Sequence, residues 1–248
     1  MKAMLFAAGQ GQRLRPVTDH TPKALVPVAG RPMIEYPLLL LRHYAIREII
    51  INLHHLGERI EAYLGDGAKF GLKISYSKEP ELLDTGGGLL KVKPFLQDGT
   101  FVVINADVLI DLPLDELIDF HRAKKAAATL ALRPDELADR YGSIEIDSQE
   151  RIYRFLAAKR PAAPVGPTTK LMFTGVQILE PTIFDYMPSS DGARMFGTTK
   201  HTYPQMLVAE EKLFGFRFDG FWQDLGTLER IKEAEDKLAR KEAGLHYL

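Results

Sequence analysis

The chain has 248 residues, 46% of them hydrophobic and 26% charged, with a formal net charge of −1. This is the composition of a folded globular protein long enough to bury a large core. The near-neutral charge gives no global attraction for nucleic acid or an anionic membrane. There is no cysteine, which excludes disulfide staples, a thiol nucleophile and a thiolate zinc site, and is compatible with a reducing compartment. The first apolar run is too short for a secretory leader and no stretch is long enough to span a bilayer, so a cytoplasmic location is expected.

In chain order, Ala3–Ala8 predicts a buried parallel strand, followed by a loop over Gly9–Lys23 rich in Gly, Pro and basic residues. Pro32–Tyr44 predicts a helix with Pro32 in its first turn, Arg47–Leu53 a β-branched strand, and Glu58–Leu64 a helix. Lys73–Ser77 alternates like a half-buried strand, and Asp84–Gly88 is a second glycine loop leading into a helix to about Phe95. Thr100–Asn105 predicts a buried strand, Leu114–Lys125 a helix and Ala127–Leu132 a strand. This alternation predicts an α/β fold, a Rossmann-like, mostly parallel mixed sheet flanked by helices. Beyond it, Ser143–Asp147, Ile152–Leu156 and Lys170–Leu179 predict strands joined by turns, a small antiparallel lobe. Pro204–Glu211 predicts a helix, Leu213–Phe218 a strand and Thr227–Lys241 an amphipathic helix with alternating charge. No internal repeat, low-complexity segment or linker interrupts the chain, so a single domain over 1–248 is expected.

Most of the functional information lies in Ala7-Ala8-Gly9-Gln10-Gly11-Gln12-Arg13-Leu14-Arg15-Pro16. A buried strand delivers the chain to Gly-x-Gly, where missing side chains let backbone N–H groups approach a phosphate. The dinucleotide fingerprint Gly-x-Gly-x-x-Gly fails, because Leu14 takes the third glycine's place and Pro16 prevents a long helix from starting at the loop. By itself Gly-x-Gly is more often only a tight turn. Arg13, Arg15 and Lys23 change the balance, since three cations in one loop of a nearly neutral chain suit a triphosphate better than a solvated face. Arg13 and Lys23 are the phosphate candidates; Arg15 is expected to pair with Glu35 or another carboxylate.

Together with Thr21-Pro22-Lys23-Ala24-Leu25-Val26-Pro27-Val28 and Arg31-Pro32-Met33-Ile34, this segment closely resembles the signature of the sugar-1-phosphate nucleotidyltransferases, the NDP-sugar pyrophosphorylase family. The likeness runs from Met1 to about Glu235. It implies the nucleotide-diphospho-sugar transferase fold and an enzyme that joins an NTP to a sugar 1-phosphate and releases pyrophosphate. It further implies that Ala7, Ala8, Gly9, Gly11 and Gln12 wrap the nucleotide, and that Arg13 and Lys23 are catalytic, offsetting charge as pyrophosphate departs. The domain would divide into a nucleotide-binding part of about 1–133 and a sugar-binding part, with the antiparallel lobe, of about 134–248. The C-terminal β-helix acetyltransferase domain of some relatives is expected to be missing, and with it any second activity.

Asp107 lies just beyond the strand ending at Asn105, at the carboxyl end where open α/β sheets bind ligands. Asp224, in Trp222-Gln223-Asp224-Leu225-Gly226-Thr227, stands where either it or Thr227 could cap the last helix. The resemblance implies that Asp107 and Asp224 hold Mg²⁺, two carboxylates leaving the rest of the octahedron to phosphates and water. Asp84-Thr85-Gly86-Gly87-Gly88 would present a flat surface and free N–H donors at a helix start. The resemblance sets Gly87 against the base and ribose, with Glu79–Leu83 contributing to base choice. For the sugar it implies Asn105, Gly142 after Tyr141, Lys159, and Gly175 in Phe173-Thr174-Gly175, although a glycine inside a strand more commonly marks a bulge.

Two positions depart from the family pattern. The usual Glu before Lys159 is Ala158, and Phe173-Thr174-Gly175 replaces Asn-Ala-Gly. Both departures resemble the short bacterial N-acetylmuramate-1-phosphate uridylyltransferase-like enzymes. Ala8, where many guanylyl- and thymidylyltransferases carry glycine, tightens the pocket towards a pyrimidine. UTP with an amino-sugar 1-phosphate such as N-acetylmuramate 1-phosphate is therefore expected, with a GTP-dependent mannose- or heptose-1-phosphate guanylyltransferase as the alternative. A glycosyltransferase reading Asn105-Ala106-Asp107 as a degenerate Asp-x-Asp is disfavoured by Arg13 and Lys23, since that chemistry ejects no pyrophosphate. A non-catalytic nucleotide or sugar-phosphate sensor is disfavoured by retention of both acids and both cations. His54 and His55 would point to opposite faces of a strand and cannot share a metal, and Phe214, Phe216, Phe218 and Phe221 read as core. No nucleic-acid or membrane partner is expected, and the oligomeric state is not legible.

Overall fold

The computed structural model describes residues 1–135, 143–188 and 195–248. In chain order its strands are β1 (Lys2–Phe6), β2 (Pro27–Val28), β3 (Arg31–Pro32), β4 (Glu48–Leu53), β5 (Lys73–Lys78), β6 (Phe101–Asn105), β7 (Val108–Ile110) and β8 (Ala128–Arg133). They continue with β9 (Ile144–Ile146), β10 (Ile152–Phe155), β11 (Ala158–Lys159), β12 (Thr169–Leu179), β13 (Leu213–Arg217) and β14 (Trp222–Asp224). The α-helices are α1 (Glu35–His43), α2 (Gly57–Leu64), α3 (Asp84–Lys91), α4 (Lys93–Leu96), α5 (Leu114–Lys124), α6 (Tyr203–Val208) and α7 (Leu228–Ala239). The chain forms two compact units that interleave along the sequence. The first takes Met1–Leu82, Ile104–Leu112 and Gly220–Leu248; the second takes Leu83–Val103 and Pro113–Asp219.

In the first unit, β1, β4 and β5 lie parallel, with Lys2 opposite Glu48 and Glu48 opposite Lys73. β1 and β4 read as nearly continuous apolar runs because both faces are covered: Ala3, Met4, Leu5, Ile49 and Ile51 are fully buried. Burying each such Leu or Ile side chain contributes ~1.5–3 kcal/mol. α1 is buried from Glu35 through Leu41, whereas α2 buries only Gly57, Ile60 and Leu64, a single stripe at helical spacing. The Ala106 N–H donates to the Phe6 carbonyl at 3.0 Å, setting the chain that leaves β6 beside the end of β1.

Two features of this unit differ from expectation. Pro32 is not in the first turn of a helix; it stands opposite Pro27 in the hairpin β2–β3, where neither residue has an N–H to offer. Positive φ at Ala29 and Gly30, 49° and 79°, reverses the chain there, and the helix waits until Glu35. The antiparallel ribbon β7–β14, with Trp222 opposite Ile110 and Asp224 opposite Val108, has no counterpart in the predicted elements.

In the second unit, β8 pairs parallel with β13 and antiparallel with β12, and β12 leads antiparallel to β9, β10 and β11. The fold is thus α/β, with parallel strands flanked by helices and a set of antiparallel strands where the second half of the chain predicts them. Phe120 meets Phe214 and Phe216 edge-on, at 6.3 and 5.5 Å between ring centroids, in keeping with a core role for that stripe.

Both glycine features of this unit are internal. Asp84–Gly88 is not a loop: its glycines lie inside α3 and are buried. The Gly86 and Gly87 N–H groups both donate to the Phe196 carbonyl, at 2.8 and 3.2 Å, so the expected free donors are taken. A Cβ on Gly86 would stand 2.2 Å from the Phe196 ring, so the missing side chain admits Phe196. Gly175 has φ 87° where the β12–β8 register shifts between Phe173 and Gln177, a bulge that by itself accounts for the glycine. Tyr141 and Gly142 lie outside the described residues. Among the described residues, no helix is long and apolar enough to cross a membrane.

Candidate nucleotide and metal site

The carboxyl end of β1 is fixed by a buried polar chain. Asn52, last but one in β4, accepts the Ala7 N–H at 2.8 Å and donates to Glu79 at 2.8 Å. Asn52 and Glu79 are each 3% exposed. The Glu79 carboxylate, placed by resemblance in the base-choosing segment, therefore serves to hold the start of the loop. Ala7 and Ala8 are themselves buried behind it.

Gly11 then turns with φ 65°, where a Cβ would meet Thr18 Cγ2 at 2.8 Å and Lys23 Cβ at 3.0 Å. Its carbonyl accepts the Thr18 hydroxyl at 2.8 Å and the Leu14 N–H at 2.9 Å. A His55 ring nitrogen lies 3.0 Å from the Thr18 carbonyl, and His54 is likewise engaged, 2.8 Å from the Glu79 carbonyl. The loop is a pinned series of 3₁₀ turns over Gln12–Leu14, Val17–Asp19 and Lys23–Leu25. A cavity of about 440 Å³ opens on it, lined by the Gly9–Arg13 turn, Lys23, Leu82 and Gly226.

The ribbon β7–β14 supplies the acids. Asp107 immediately precedes β7, Asp224 ends β14 opposite Val108, and the Leu225 N–H donates to the Asp107 carbonyl at 2.9 Å. Two acidic residues far apart in sequence are thus neighbours along one ribbon. Lys23 Nζ pairs with the Asp107 carboxylate, and Arg230 in the first turn of α7 pairs with Asp224. Asp224 Oδ1 also accepts the Gly226 N–H at 2.7 Å. A Cβ on Gly226 would stand 2.5 Å from an Arg13 guanidinium nitrogen and 2.6 Å from Asp224 Oδ1, so this glycine lets both groups close on the same stretch of backbone. Thr227, not Asp224, caps α7, its hydroxyl accepting the Arg230 N–H at 3.4 Å. Arg15 pairs with Asp19 at 3.3 Å rather than with Glu35, which Arg31 and Tyr63 hold instead.

The first unit therefore brings Gly9, Gly11, Gln12, Arg13 and Lys23 together with Asp107 and Asp224, and Asn105 sits half-buried at the end of β6. Gly87, Lys159 and Gly175 belong to the second unit: Gly87 inside α3, Lys159 exposed on β11, and Gly175 buried in the β12 bulge. Asn52, Thr18 and Arg230 escaped sequence reasoning, whereas Leu82 lies in the Glu79–Leu83 segment that resemblance gives to base choice, and His55, set aside as a metal ligand, lies against the Thr18 carbonyl. An Asn near the end of a parallel strand carries no distinctive spacing; Gly226, within Trp-x-Asp-x-Gly-Thr, did carry one. The donor set fits Mg²⁺: two hard carboxylate ligands beside a cavity lined by Arg13 and Lys23 suit an ion that keeps waters and takes phosphate oxygens. Among the described residues no group of three or more His, Asp or Glu is placed to cage a metal.

The chain matches the family described as Nucleotidyl transferase over residues 2–241. It is 36% identical over 241 residues to the UTP–glucose-1-phosphate uridylyltransferase of Synechocystis sp., covering 92% of this chain and 61% of that protein. It is 36% identical over 238 residues to the N-acetylmuramate alpha-1-phosphate uridylyltransferase of Neisseria meningitidis, covering 95% of this chain and 97% of that one. It is 30% identical over 239 residues to the mannose-1-phosphate guanylyltransferase of Mycobacterium tuberculosis, covering 96% and 64% respectively. The chain thus spans less than two thirds of the length of the Synechocystis and Mycobacterium relatives, and nearly all of the Neisseria one. In structure it resembles HddC from Yersinia pseudotuberculosis, solved with GMP-PN, with a TM-score of 0.76 over 96% of this chain and 99% of that one. That likeness, at 21% identity, concerns the fold. The chain belongs to the sugar-1-phosphate nucleotidyltransferase family.

Proposed function

We propose that the protein transfers a nucleotidyl group from an NTP to a sugar 1-phosphate, releasing pyrophosphate. The observation that carries this reading is the first unit's cavity, lined by a pinned glycine turn, Arg13 and Lys23, with Asp107 bonded to Lys23 and Asp224 to Gly226 on the ribbon beside it. In this reading the Gly9–Arg13 turn holds the phosphates. An oxygen of the sugar phosphate attacks the α-phosphorus in line, forming one P–O bond as the bond to the pyrophosphate oxygen breaks. Arg13 and Lys23 offset the negative charge gathering on the leaving pyrophosphate. The attacking oxygen is already an anion, so the chain supplies position and field rather than a base or a covalent nucleophile. Asp107 and Asp224 would hold Mg²⁺, whose charge there neutralises phosphate oxygens. We assign nucleotide binding to residues about 1–133 and sugar binding to about 134–248, with Asn105, Gly142, Lys159 and Gly175 as sugar candidates and Gly87 as a base and ribose candidate.

For substrates, we favour UTP and an amino-sugar 1-phosphate such as N-acetylmuramate 1-phosphate. Two points support this: the end-to-end correspondence with the Neisseria uridylyltransferase, and Phe173-Thr174-Gly175 with Ala158 where the family's usual sugar-binding Glu stands. Ala8 adds a methyl at the buried edge of the loop, favouring a pyrimidine. The test is pyrophosphate release from a matrix of NTPs and sugar 1-phosphates, with Mg²⁺ and with EDTA. UTP with N-acetylmuramate 1-phosphate as the active pair, lost in EDTA, is the expected outcome. GTP with a mannose or heptose 1-phosphate would shift the assignment to a guanylyltransferase. Nucleotide binding with no turnover across the matrix would overturn the enzyme reading.

A further inference from the structure

Each carboxylate offered to the metal already faces a cation of the chain, Lys23 on Asp107 and Arg230 on Asp224. Lys23 has a second role in the reading above, at the phosphates. Arg230 does not line the cavity, and it pairs with Asp224 itself. The two side chains are only 21% and 19% exposed, so water screens the pair less than it would on an open surface. Arg230 is also held in place from its own helix. Its N–H is taken by the Thr227 cap, and α7 is seated by buried Ile231 and Ala234. The Asp224 carboxylate is held in turn by the Gly226 N–H, and Arg13 lies beside the same glycine. A dication arriving at Asp224 meets a guanidinium already bonded to that carboxylate. Two cations at bonding distance from one acid repel each other, so each weakens the hold of the other.

We infer that Arg230 is a positioning residue that holds the Asp224 carboxylate and competes with the divalent cation for it, thereby setting the metal affinity of the site. The inference rests on the metal reading of Asp107 and Asp224. Removing the guanidinium should therefore tighten metal binding, whereas a merely structural ion pair would leave it unchanged or weaken it.

The probe is Mn²⁺ alone, with free ion counted by electron paramagnetic resonance. Binding is followed in parallel by the fluorescence of Trp222, the single tryptophan of the chain, two residues before Asp224. In Arg230→Gln the Mn²⁺ dissociation constant is expected to fall roughly two- to fivefold, the factor a partly exposed ion pair supports. Arg230→Lys should lie between it and wild type. Arg15→Gln, which removes an exposed cation paired with Asp19, should change nothing; an equal gain in that variant would reduce the effect to net charge and overturn the inference. Unchanged or weaker Mn²⁺ binding in folded Arg230→Gln would also overturn it, while leaving the metal reading intact. Asp224→Asn separates the two ideas, because wild type that binds Mn²⁺ no better than Asp224→Asn removes the metal reading itself. Thermal unfolding checks each variant. Should Arg230→Gln fail to fold, Arg230→Lys carries the comparison, and an affinity equal to wild type is then the overturning result.

Discussion

Glycines, arginines and carboxylates occur in both units, and those at the first unit's cavity meet partners unlike those in the second unit's core. In the first unit, Gly11 makes room for Thr18 and the stem of Lys23, and Gly226 for Arg13 with Asp224. In the second, Gly86 makes room for a phenylalanine, and Gly175 relieves a bulge. Arg160 is buried with its guanidinium donating to the Ile152 and Glu211 carbonyls at 3.2 and 2.6 Å. His121 is buried between Thr129 and Glu180 at 2.9 and 3.1 Å. The lesson is that residue type does not make a site. A glycine or a charge bears on chemistry where the groups it admits or pairs with are themselves charged and face a cavity. It bears on stability where its partners are backbone groups or core side chains.

The largest test of this contrast is Asp107→Ala, which should abolish metal-dependent pyrophosphate release in the substrate matrix. Near-normal turnover would show that the ribbon acids are as structural as Glu180 beside His121 in the second unit. Next comes Arg13→Ala, expected to lower kcat roughly 10²- to 10³-fold with a smaller change in KM, because its charge matters most as pyrophosphate leaves. Steady-state kinetics on the active pair decides this, and a rise in KM alone would make Arg13 a binding group only.

On the other side, Gly86→Ala should cost stability, ~1–3 kcal/mol by urea unfolding, since the new methyl must displace Phe196. No loss would mean that α3 does not need its glycine to seat that ring. The smallest effect belongs to His121. Desolvation pushes its pKa below the ordinary 6.5, with Glu180 opposing the shift. The folded state then binds fewer protons than the unfolded one as pH falls through that range. The contribution is fully present above 6.5 and is lost towards the depressed folded value, with a slope of at most ~1.4 kcal/mol per pH unit. Denaturant midpoints measured across this window should fall as the pH is lowered in wild type and flatten in His121→Gln.

The elements that matched expectation are those whose signal is local. β1 with its glycine loop, β4, β6 and α5 announce themselves through apolar runs, β-branched residues and helical spacing within one window. The loop cations and the two acids could be singled out as candidates for the same reason: each stands next to a recognisable strand or motif. The reading failed where a distant segment decides. Asp84–Gly88 reads as a loop because three glycines disfavour a helix, yet the Phe196 carbonyl, far along the chain, accepts two of their N–H groups and closes the turn. β7 and β14 are three residues each, too short to stand out, and exist because they pair with one another. The pairing of Glu79 with Asn52 is likewise a contact no sequence window contains, while Leu82 of the same segment lines the cavity.

What the sequence by itself determined is the chemistry at hand: an α/β chain, a phosphate-sized glycine turn, two cations and two acids in the order of a nucleotidyltransferase. Only the tertiary structure decided which of these groups meet. Hydrogen bonds and ion pairs reach about 3 Å, and burial brings together residues that no sequence window contains. Asp107 gained Asp224 as a ribbon neighbour, Asp224 gained Arg230, and the second unit's glycines lost their free amides to Phe196.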